Sequence, residues 1–200
     1  MTRASLALML LCLVGCASSR APPRQFDLGD FDALGKRSST LSMNLIVADV
    51  GQPSWMRTRD IFYRLDYESP PRPQRYSINQ WVATPGELVT LRLRQAVQAA
   101  NAGFTLPTSS VTGDFLLQTS LDEFTQAFST TTQSQCILQL RASLWGIDGR
   151  MVAQHVFRIA DPAPSADARG AALCLGAAVN RLSDEIVQWL SAAKVGTPKN

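Results

Sequence analysis

Residues 136–145 read CILQLRASLW and residues 150–160 read RMVAQHVFRIA, and Asp148-Gly149 lies between the two runs. Both runs are rich in apolar, β-branched and aromatic residues, which favours strands. Asp-Gly between two such runs is typical of a tight β-hairpin turn. A third strand-like run extends from Asp114 to Phe128 and ends at a polar turn. The sequence therefore predicts an antiparallel meander of three strands.

A helix is predicted before this meander, because residues 84–87 read TPGE. Thr84 is a suitable N-cap, a proline follows it at the first helical position, and Glu87 completes a capping box. An apolar stripe from Val89 to Ala100 then repeats at helical spacing. We expect Arg92 and Arg94 on the polar side of this helix.

The remaining elements follow from the same periodicity. Alternating apolar residues predict strands over residues 41–50 and 61–67 and a short extended segment over residues 76–82. A long closing helix is predicted over residues 167–194. Its apolar residues at near-helical spacing are Leu173, Ala177, Leu182, Ile186, Trp189 and Ala193. The order of elements is three strands, a helix, three strands and a helix.

Length and composition limit the class of protein. A chain of 200 residues with 46% hydrophobic residues suits one domain with a buried core. The formal net charge of +3 is too small for the clustered basic face of a nucleic-acid-binding protein. His155 is the single histidine, which excludes metal sites built from several histidines.

We expect no catalytic residue, no cofactor and no metal site. His155 lies in a strand-like run, and the chain has no Gly-x-Ser-x-Gly motif to supply a nucleophile. It also lacks a glycine-rich phosphate loop and the spacing of metal ligands. Adjacent carboxylates point to opposite faces of a strand, so we interpret Asp122-Glu123 and Asp184-Glu185 as solvated charges.

The N-terminus has the pattern of an export signal. Arg3 precedes an apolar run that is too short to cross a bilayer, which takes about 20 residues. Leu13-Val14-Gly15-Cys16 resembles a bacterial lipobox, which implies cleavage before Cys16 and attachment of acyl chains to it. Ala17 then favours sorting to the outer membrane. The alternative is a chance cysteine at the end of an ordinary signal peptide.

Two cysteines remain in the mature domain after Cys12 is removed and Cys16 is acylated. Cys136 and Cys174 would lie in an oxidising compartment, where one disulfide can form. Cys136 belongs to a strand-like run and Cys174 to a helix-like run. The alternative is that both are small buried hydrophobic residues.

Aromatic residues are concentrated between positions 55 and 81. Tyr63 and Tyr67 share one face of a predicted strand, where they fill the core more often than they bind a partner. Trp and Arg concentrate binding energy at protein interfaces. The candidate partner-contact residues are therefore Trp55, Arg57, Arg59, Arg64 and Trp81, and a solvated charged face is the alternative for the arginines.

The block Pro53-Ser-Trp-Met-Arg-Thr-Arg-Asp-Ile-Phe-Tyr-Arg-Leu-Asp-Tyr67, followed by Tyr76, Trp81, Pro85 and Leu88, resembles the ABC-type transport auxiliary lipoproteins, the paraquat-inducible protein C-like group. Phe26-Asp-Leu-Gly29 is similar to the opening of that family. The resemblance implies an α/β fold with a single domain, whose mixed, largely antiparallel sheet is flanked by two main helices.

The N-terminal pattern and the resemblance together predict the organisation of the chain. We expect a signal peptide over residues 1–15, a lipidated linker over 16–25, the auxiliary domain over 26–195 and a tail over 196–200. The domain would face the periplasm from the outer membrane. Its implied partners are a mammalian-cell-entry-domain protein, which moves lipids, and the ABC permease and ATPase of that system. Contacts with phospholipid and a homo-oligomer stay open.

Two other functions remain as alternatives. One is a structural envelope lipoprotein that self-assembles without a role in transport. The other is an envelope hydrolase, for which His155 would be the obvious base. The identities of the neighbouring genes would distinguish a transport system from both.

Overall fold

The computed structural model describes residues 22–31, 41–100 and 113–193. The predicted signal peptide, Cys16 and the predicted tail lie outside these ranges. The strands are β1 (Arg24–Phe26), β2 (Leu45–Val47), β3 (Asp60–Leu65), β4 (Pro73–Trp81), β5 (Phe115–Phe128), β6 (Ser134–Gly146) and β7 (Met151–Pro162). The helices are α1 (Pro85–Ala100) and α2 (Ala168–Ala192), and a 3-10 turn spans Ser54–Met56.

The seven described strands form one mixed sheet, in which six follow the order β1-β4-β3-β5-β6-β7 and β2 lies off this path. β2 pairs with the first residues of β5 and β3 with its last residues, both in parallel. β1 and β4 are also parallel, whereas β3 and β4, β5 and β6, and β6 and β7 pair in antiparallel ladders. The longest ladders are antiparallel, which confirms the predicted α/β fold with a mixed, largely antiparallel sheet and two main helices.

The hairpin between β6 and β7 turns where Asp148-Gly149 predicts it. Gly149 has a φ of 79°, a conformation that glycine adopts without a steric penalty. The Gly146 N–H donates to the Arg150 carbonyl at 2.9 Å and closes the turn. The three-strand meander is confirmed.

Both helices begin at side-chain caps. The Thr84 N–H donates to Glu87 Oε2 at 2.8 Å and the Glu87 N–H donates to Thr84 Oγ1 at 3.4 Å, so the predicted capping box is present. The bond from the Thr84 backbone lowers the pKa of Glu87. Asp167 caps α2 by accepting from the Gly170 N–H at 2.7 Å. The Ser165 hydroxyl is the main cause of a lowered pKa at Asp167.

The core lies between one face of the sheet and the helices. Even-numbered residues of β6, from Cys136 to Leu144, are buried in one cluster with residues of α1 and α2. α2 packs on β6 and β7, and α1 packs against α2. Odd-numbered residues of β6, 137–143, point to the other side of the sheet, where neither helix packs. We call these two sides the covered face and the open face.

The buried stripe of α2 differs from the predicted one in its first half. Leu182 and Ile186 are buried as predicted, but Leu173 and Ala177 are exposed. Small residues at Ala171, Cys174 and Ala178 face the sheet instead. They allow this half of the helix to approach the strands closely, which the larger Leu173 would prevent.

The N-terminal strands are also shorter or placed differently than predicted. The strand predicted over residues 41–50 is confined to Leu45–Val47. Beyond it, the Val50 N–H donates to Thr90 Oγ1 of α1 at 2.9 Å rather than joining a strand ladder. In contrast, β1 forms within the segment predicted to be linker. It begins at Arg24, and its residues pair in register with residues 79–81 of β4.

Candidate docking surface

A network of ion pairs crosses the open face. Glu123 of β5 accepts from Arg64 of β3 at 2.8 Å and from Arg158 of β7 at 3.1 Å. Arg158 also donates to Gln139 of β6 at 3.3 Å, and Arg64 pairs with Asp66 at 2.5 Å. The bond to Asp66 is the main cause of a raised pKa at Arg64. Four neighbouring strands are thus linked on the side that no described helix covers.

Both carboxylates of the acidic pair Asp122-Glu123 form ion pairs on the open face. A register shift between Leu121 and Glu123 interrupts the alternation of β5 at this point. Asp122 then accepts from Arg141 of β6 at 3.2 Å. These carboxylates are therefore partly exposed and also bind arginines across the sheet, which the interpretation as solvated charges does not include.

Trp55 lies at the margin of the open face. The 3-10 turn buries Met56 and leaves Trp55 47% exposed. The Trp55 ring packs edge-on against Phe62 of β3, with ring centroids 5.2 Å apart. Arg57 and Arg59, which follow the turn, are exposed and form no ion pair within the described part of the chain. An aromatic pair beside two exposed cations is the arrangement expected of a protein contact.

Trp81 does not belong to this surface. It is 1% exposed, and its ring centroid lies 5.6 Å from that of Phe124 in the core. Trp81 pairs in register with Phe26 of β1, and its side chain points to the covered face. Its assignment as a partner-contact residue is therefore corrected: Trp81 is a core residue.

The two cysteines of the domain link the sheet to α2. Cys136 of β6 and Cys174 of α2 are joined by a disulfide, with their Cα atoms 6.0 Å apart. Both residues are buried on the covered face. The bond therefore fastens the first half of α2 to the beginning of β6.

A buried amide lies next to this link. Gln126 accepts from the Tyr76 hydroxyl at 2.7 Å and donates to Ser134 Oγ at 2.8 Å and to the Ser165 carbonyl at 3.1 Å. Burial raises the pKa of Tyr76. Because the polar groups of Gln126 are bonded within the protein, the cluster is a structural support for the loop before α2.

His155 lies on β7 beside aromatic rings. Its ring centroid is 4.5 Å from that of Phe157 and 6.5 Å from that of Trp189 on α2. Among the described residues, no three His, Cys, Asp or Glu side chains are grouped as metal ligands would be. Neither described helix combines the length and apolar character that a bilayer span needs.

Arg92 is buried, contrary to its predicted place on the polar side of α1. Its guanidinium donates to the Gly29 carbonyl at 2.6 Å, to the Asp30 carbonyl at 3.3 Å and to Asn180 of α2. It also lies 5.6 Å from the centre of the Phe31 ring. The segment after β1 supplies these carbonyls, so a charged group on α1 holds the beginning of the domain against both helices. No local pattern in the sequence indicates this role.

A protein-family comparison identifies the kind of molecule to which this arrangement belongs. The model of the ABC-type transport auxiliary lipoprotein component family matches residues 32–187, which is more than half of the chain. The chain belongs to this family. No curated protein matches it at a significant level.

Solved structures share the fold of this auxiliary component. A protein of family DUF330 from Xanthomonas campestris has a TM-score of 0.67 and 19% identity, over 78% of this chain and 87% of its own. A structure described as an uncharacterized protein has a TM-score of 0.66 and 11% identity, over 84% of this chain and 99% of its own. PelC from Paraburkholderia phytofirmans, a dodecamer, matches at 0.49 and 10% identity over 78% of this chain and 95% of its own. At these identities the likeness to the first two structures shows the fold alone.

Proposed function

We propose that this auxiliary component is a lipoprotein anchored in the outer membrane through Cys16. In the periplasm it docks the mammalian-cell-entry-domain protein of an ABC-type lipid transport system. The family match supports a role in ABC-type transport. The Leu13-Val14-Gly15-Cys16 motif supports the anchor. The observation that carries the docking step is the open face, where Trp55 and Phe62 lie beside Arg57 and Arg59.

The first described strand enters the sheet part-way along its length. β1 runs in the same direction as β4 and β6, and its residues pair with residues 79–81 at the end of β4. The chain that leads from Cys16 therefore enters beside the last residues of β4, and β1 points towards the end of the sheet that holds the β6–β7 hairpin.

The partner that fits the open face has an apolar patch with an acidic margin. Trp55 supplies the apolar contact, and the charges of Arg57 and Arg59 are not satisfied by ion pairs in the described residues. Charge complementarity of this kind increases the rate of association and selects the partner. A membrane tether raises the effective concentration of the docking face at the site of assembly.

Co-purification from membranes tests the docking step. The lipidated full-length chain is extracted in mild detergent, and the recovered mammalian-cell-entry-domain protein is quantified. We expect Trp55→Ala combined with Arg57→Glu to reduce recovery by about tenfold or more, since hot-spot residues each contribute about 2 kcal/mol or more. Tyr67→Ala with Arg72→Glu is the matched control, because Tyr67 is 46% exposed but lies in the β3–β4 loop.

The same preparation tests the anchor and the alternative function. Mass spectrometry should find acyl chains on an N-terminal Cys16, and a bare amino terminus would refute the proposal. Isolation as a homo-oligomer alone, together with intact lipid trafficking in a deletion strain, would favour the self-assembling envelope lipoprotein.

A further inference from the structure

A groove runs between the end of β1 and the first turns of α2. Its volume is about 300 Å³, at the lower end of the range of about 300–1,000 Å³ for ligand pockets, so it suits one chain-like group. The apolar residues that line it are Phe26, Leu28, Val82, Ala172 and Leu173. Two charged residues, Asp27 and Arg169, line it as well.

Two apolar residues of the groove lining are open to solvent. Leu173 on α2 is 56% exposed and Val82, the residue after β4, is 43% exposed, and both line this groove. Leu173 is also the residue whose predicted place was the core. Adjacent exposed apolar side chains that line one concave surface are typical of a ligand-binding site.

The charged lining of the groove consists of one carboxylate, Asp27, and one guanidinium, Arg169. Asp27 Oδ1 accepts from the Gly29 N–H at 2.9 Å, which fixes the carboxylate at the groove. Arg169 forms no ion pair in the part of the chain that the structure describes. A ligand with an anionic group and a cationic group beside an apolar chain would pair with both of these exposed residues through charge-assisted hydrogen bonds.

The position of the groove along the chain gives it access to lipid. Its wall includes residues 25–29, which begin nine residues after Cys16. An extended segment of that length spans at most about 30 Å. The groove is therefore held within about one bilayer thickness of the anchor. This access in the cell rests on the proposed lipid anchor.

We propose that the groove binds one acyl chain of a phospholipid with a zwitterionic, amine-bearing headgroup. The acyl chain lies against Leu173 and Val82. The phosphate binds the Arg169 guanidinium, and the ammonium group donates to the Asp27 carboxylate. The auxiliary component then holds a lipid at its own surface as well as docking a transport partner.

Photolabelling of the full-length lipidated chain in detergent tests this site. The probe is phosphatidylethanolamine with a photoreactive acyl chain, and adducts are located by peptide mass spectrometry. We expect adducts on groove residues and a reduction of roughly fivefold to tenfold in Leu173→Gln, since tenfold corresponds to about 1.4 kcal/mol. Leu91→Gln is the matched control, because Leu91 is 58% exposed on α1 outside the groove.

The headgroup assignment has its own test with a second probe, phosphatidylglycerol, which carries the phosphate but no amine. Arg169→Gln should reduce labelling by both probes. Asp27→Asn keeps an acceptor for the Gly29 N–H, and it should reduce labelling by phosphatidylethanolamine while leaving phosphatidylglycerol unchanged. Equal effects of Asp27→Asn on the two probes would overturn the zwitterionic assignment.

Adducts outside the groove, or equal labelling of Leu173→Gln and the wild type, would overturn the site itself. Val82→Gln repeats the test from the opposite wall, and circular dichroism checks that each variant is folded. Detergent labelling does not require the anchor or the transport partner. Reduced groove labelling in Leu173→Gln with normal partner recovery would therefore support the groove independently of docking, and normal labelling of the native chain without a partner would refute only the docking proposal.

Discussion

The covered and open faces of the sheet are built from alternate residues of the same strands, yet they are stabilised by different forces. In β6 the side chains of Leu138 and Leu140 are fully buried against the helices, whereas Gln139 and Arg141 bind charged or polar groups across the open face. Burial of apolar area is the larger contribution to stability, and exposed ion pairs contribute little. The covered face therefore determines whether the domain folds, and the open face is free to determine what it binds.

The largest expected effect is on the free energy of unfolding, measured for one variant on each face of the sheet. Leu140→Ala should lower the free energy of unfolding by about 2–5 kcal/mol, because it leaves a cavity in the core. Val156→Ala on β7 should change it by about 0.5 kcal/mol or less, since Val156 is 49% exposed on the open face. Denaturant unfolding of the full-length chain measures both. Similar losses in the two variants would contradict the division into faces.

The disulfide should account for the next largest effect, because it fastens α2 to the covered face. The bond closes a loop with a sequence separation of 38 residues, and such a bond stabilises by about 2–4 kcal/mol. Reduction, or the double variant Cys136→Ala with Cys174→Ala, should lower the unfolding free energy by that amount. Two titratable thiols in the native chain, or unchanged stability after reduction, would favour the alternative of two buried hydrophobic cysteines.

A smaller effect is expected from the centre of the open-face network. Glu123→Gln removes ion pairs to Arg64 and Arg158 and should cost about 1 kcal/mol at low salt, with the difference shrinking in 1 M salt. Glu68→Gln is the control, because Glu68 is exposed in the β3–β4 loop without an ion pair among the described residues. A loss that is independent of salt would mean that Glu123 stabilises by packing.

The smallest effect concerns the cap of α2 and depends on pH. The pKa of Asp167 is lowered in the folded chain, chiefly by Ser165, so its charge stabilises the fold above the unfolded pKa of about 3.9. Asp167→Asn should cost about 0.5 kcal/mol at pH 7. The difference should disappear as the pH falls through the folded pKa of Asp167. A difference that grows on acidification would contradict this sign.

The sequence predicts those parts of the molecule that depend on neighbours along the chain. The hairpin at Asp148-Gly149 and the capping box at Thr84 and Glu87 are local arrangements, and both are present. The alternation of the three long strands likewise indicates their lengths to within a few residues. These features need no knowledge of which elements meet.

The errors occur where distant segments determine the environment of a residue. Trp55 and Trp81 are equally aromatic in sequence, but Trp81 is buried because β1, a strand of three residues, pairs beside it. Arg92 has the helical position of a surface residue, and the chain around residue 29 covers it. Glu123 meets its arginines only through the pairing of β3, β5, β6 and β7. Composition and spacing carry no signal for such contacts.

The arrangement at the start of the domain has a mechanical consequence. A pull along the proposed lipid tether, directed parallel to β1, would load the hydrogen bonds of β1 with β4 together in shear rather than open them one at a time. Beyond β1, the same force reaches Arg92 and, through it, both helices. The beginning of the domain thus has two supports in series: a force on the proposed tether would load the β1–β4 ladder first, and the Arg92 contacts would bear it once β1 detaches.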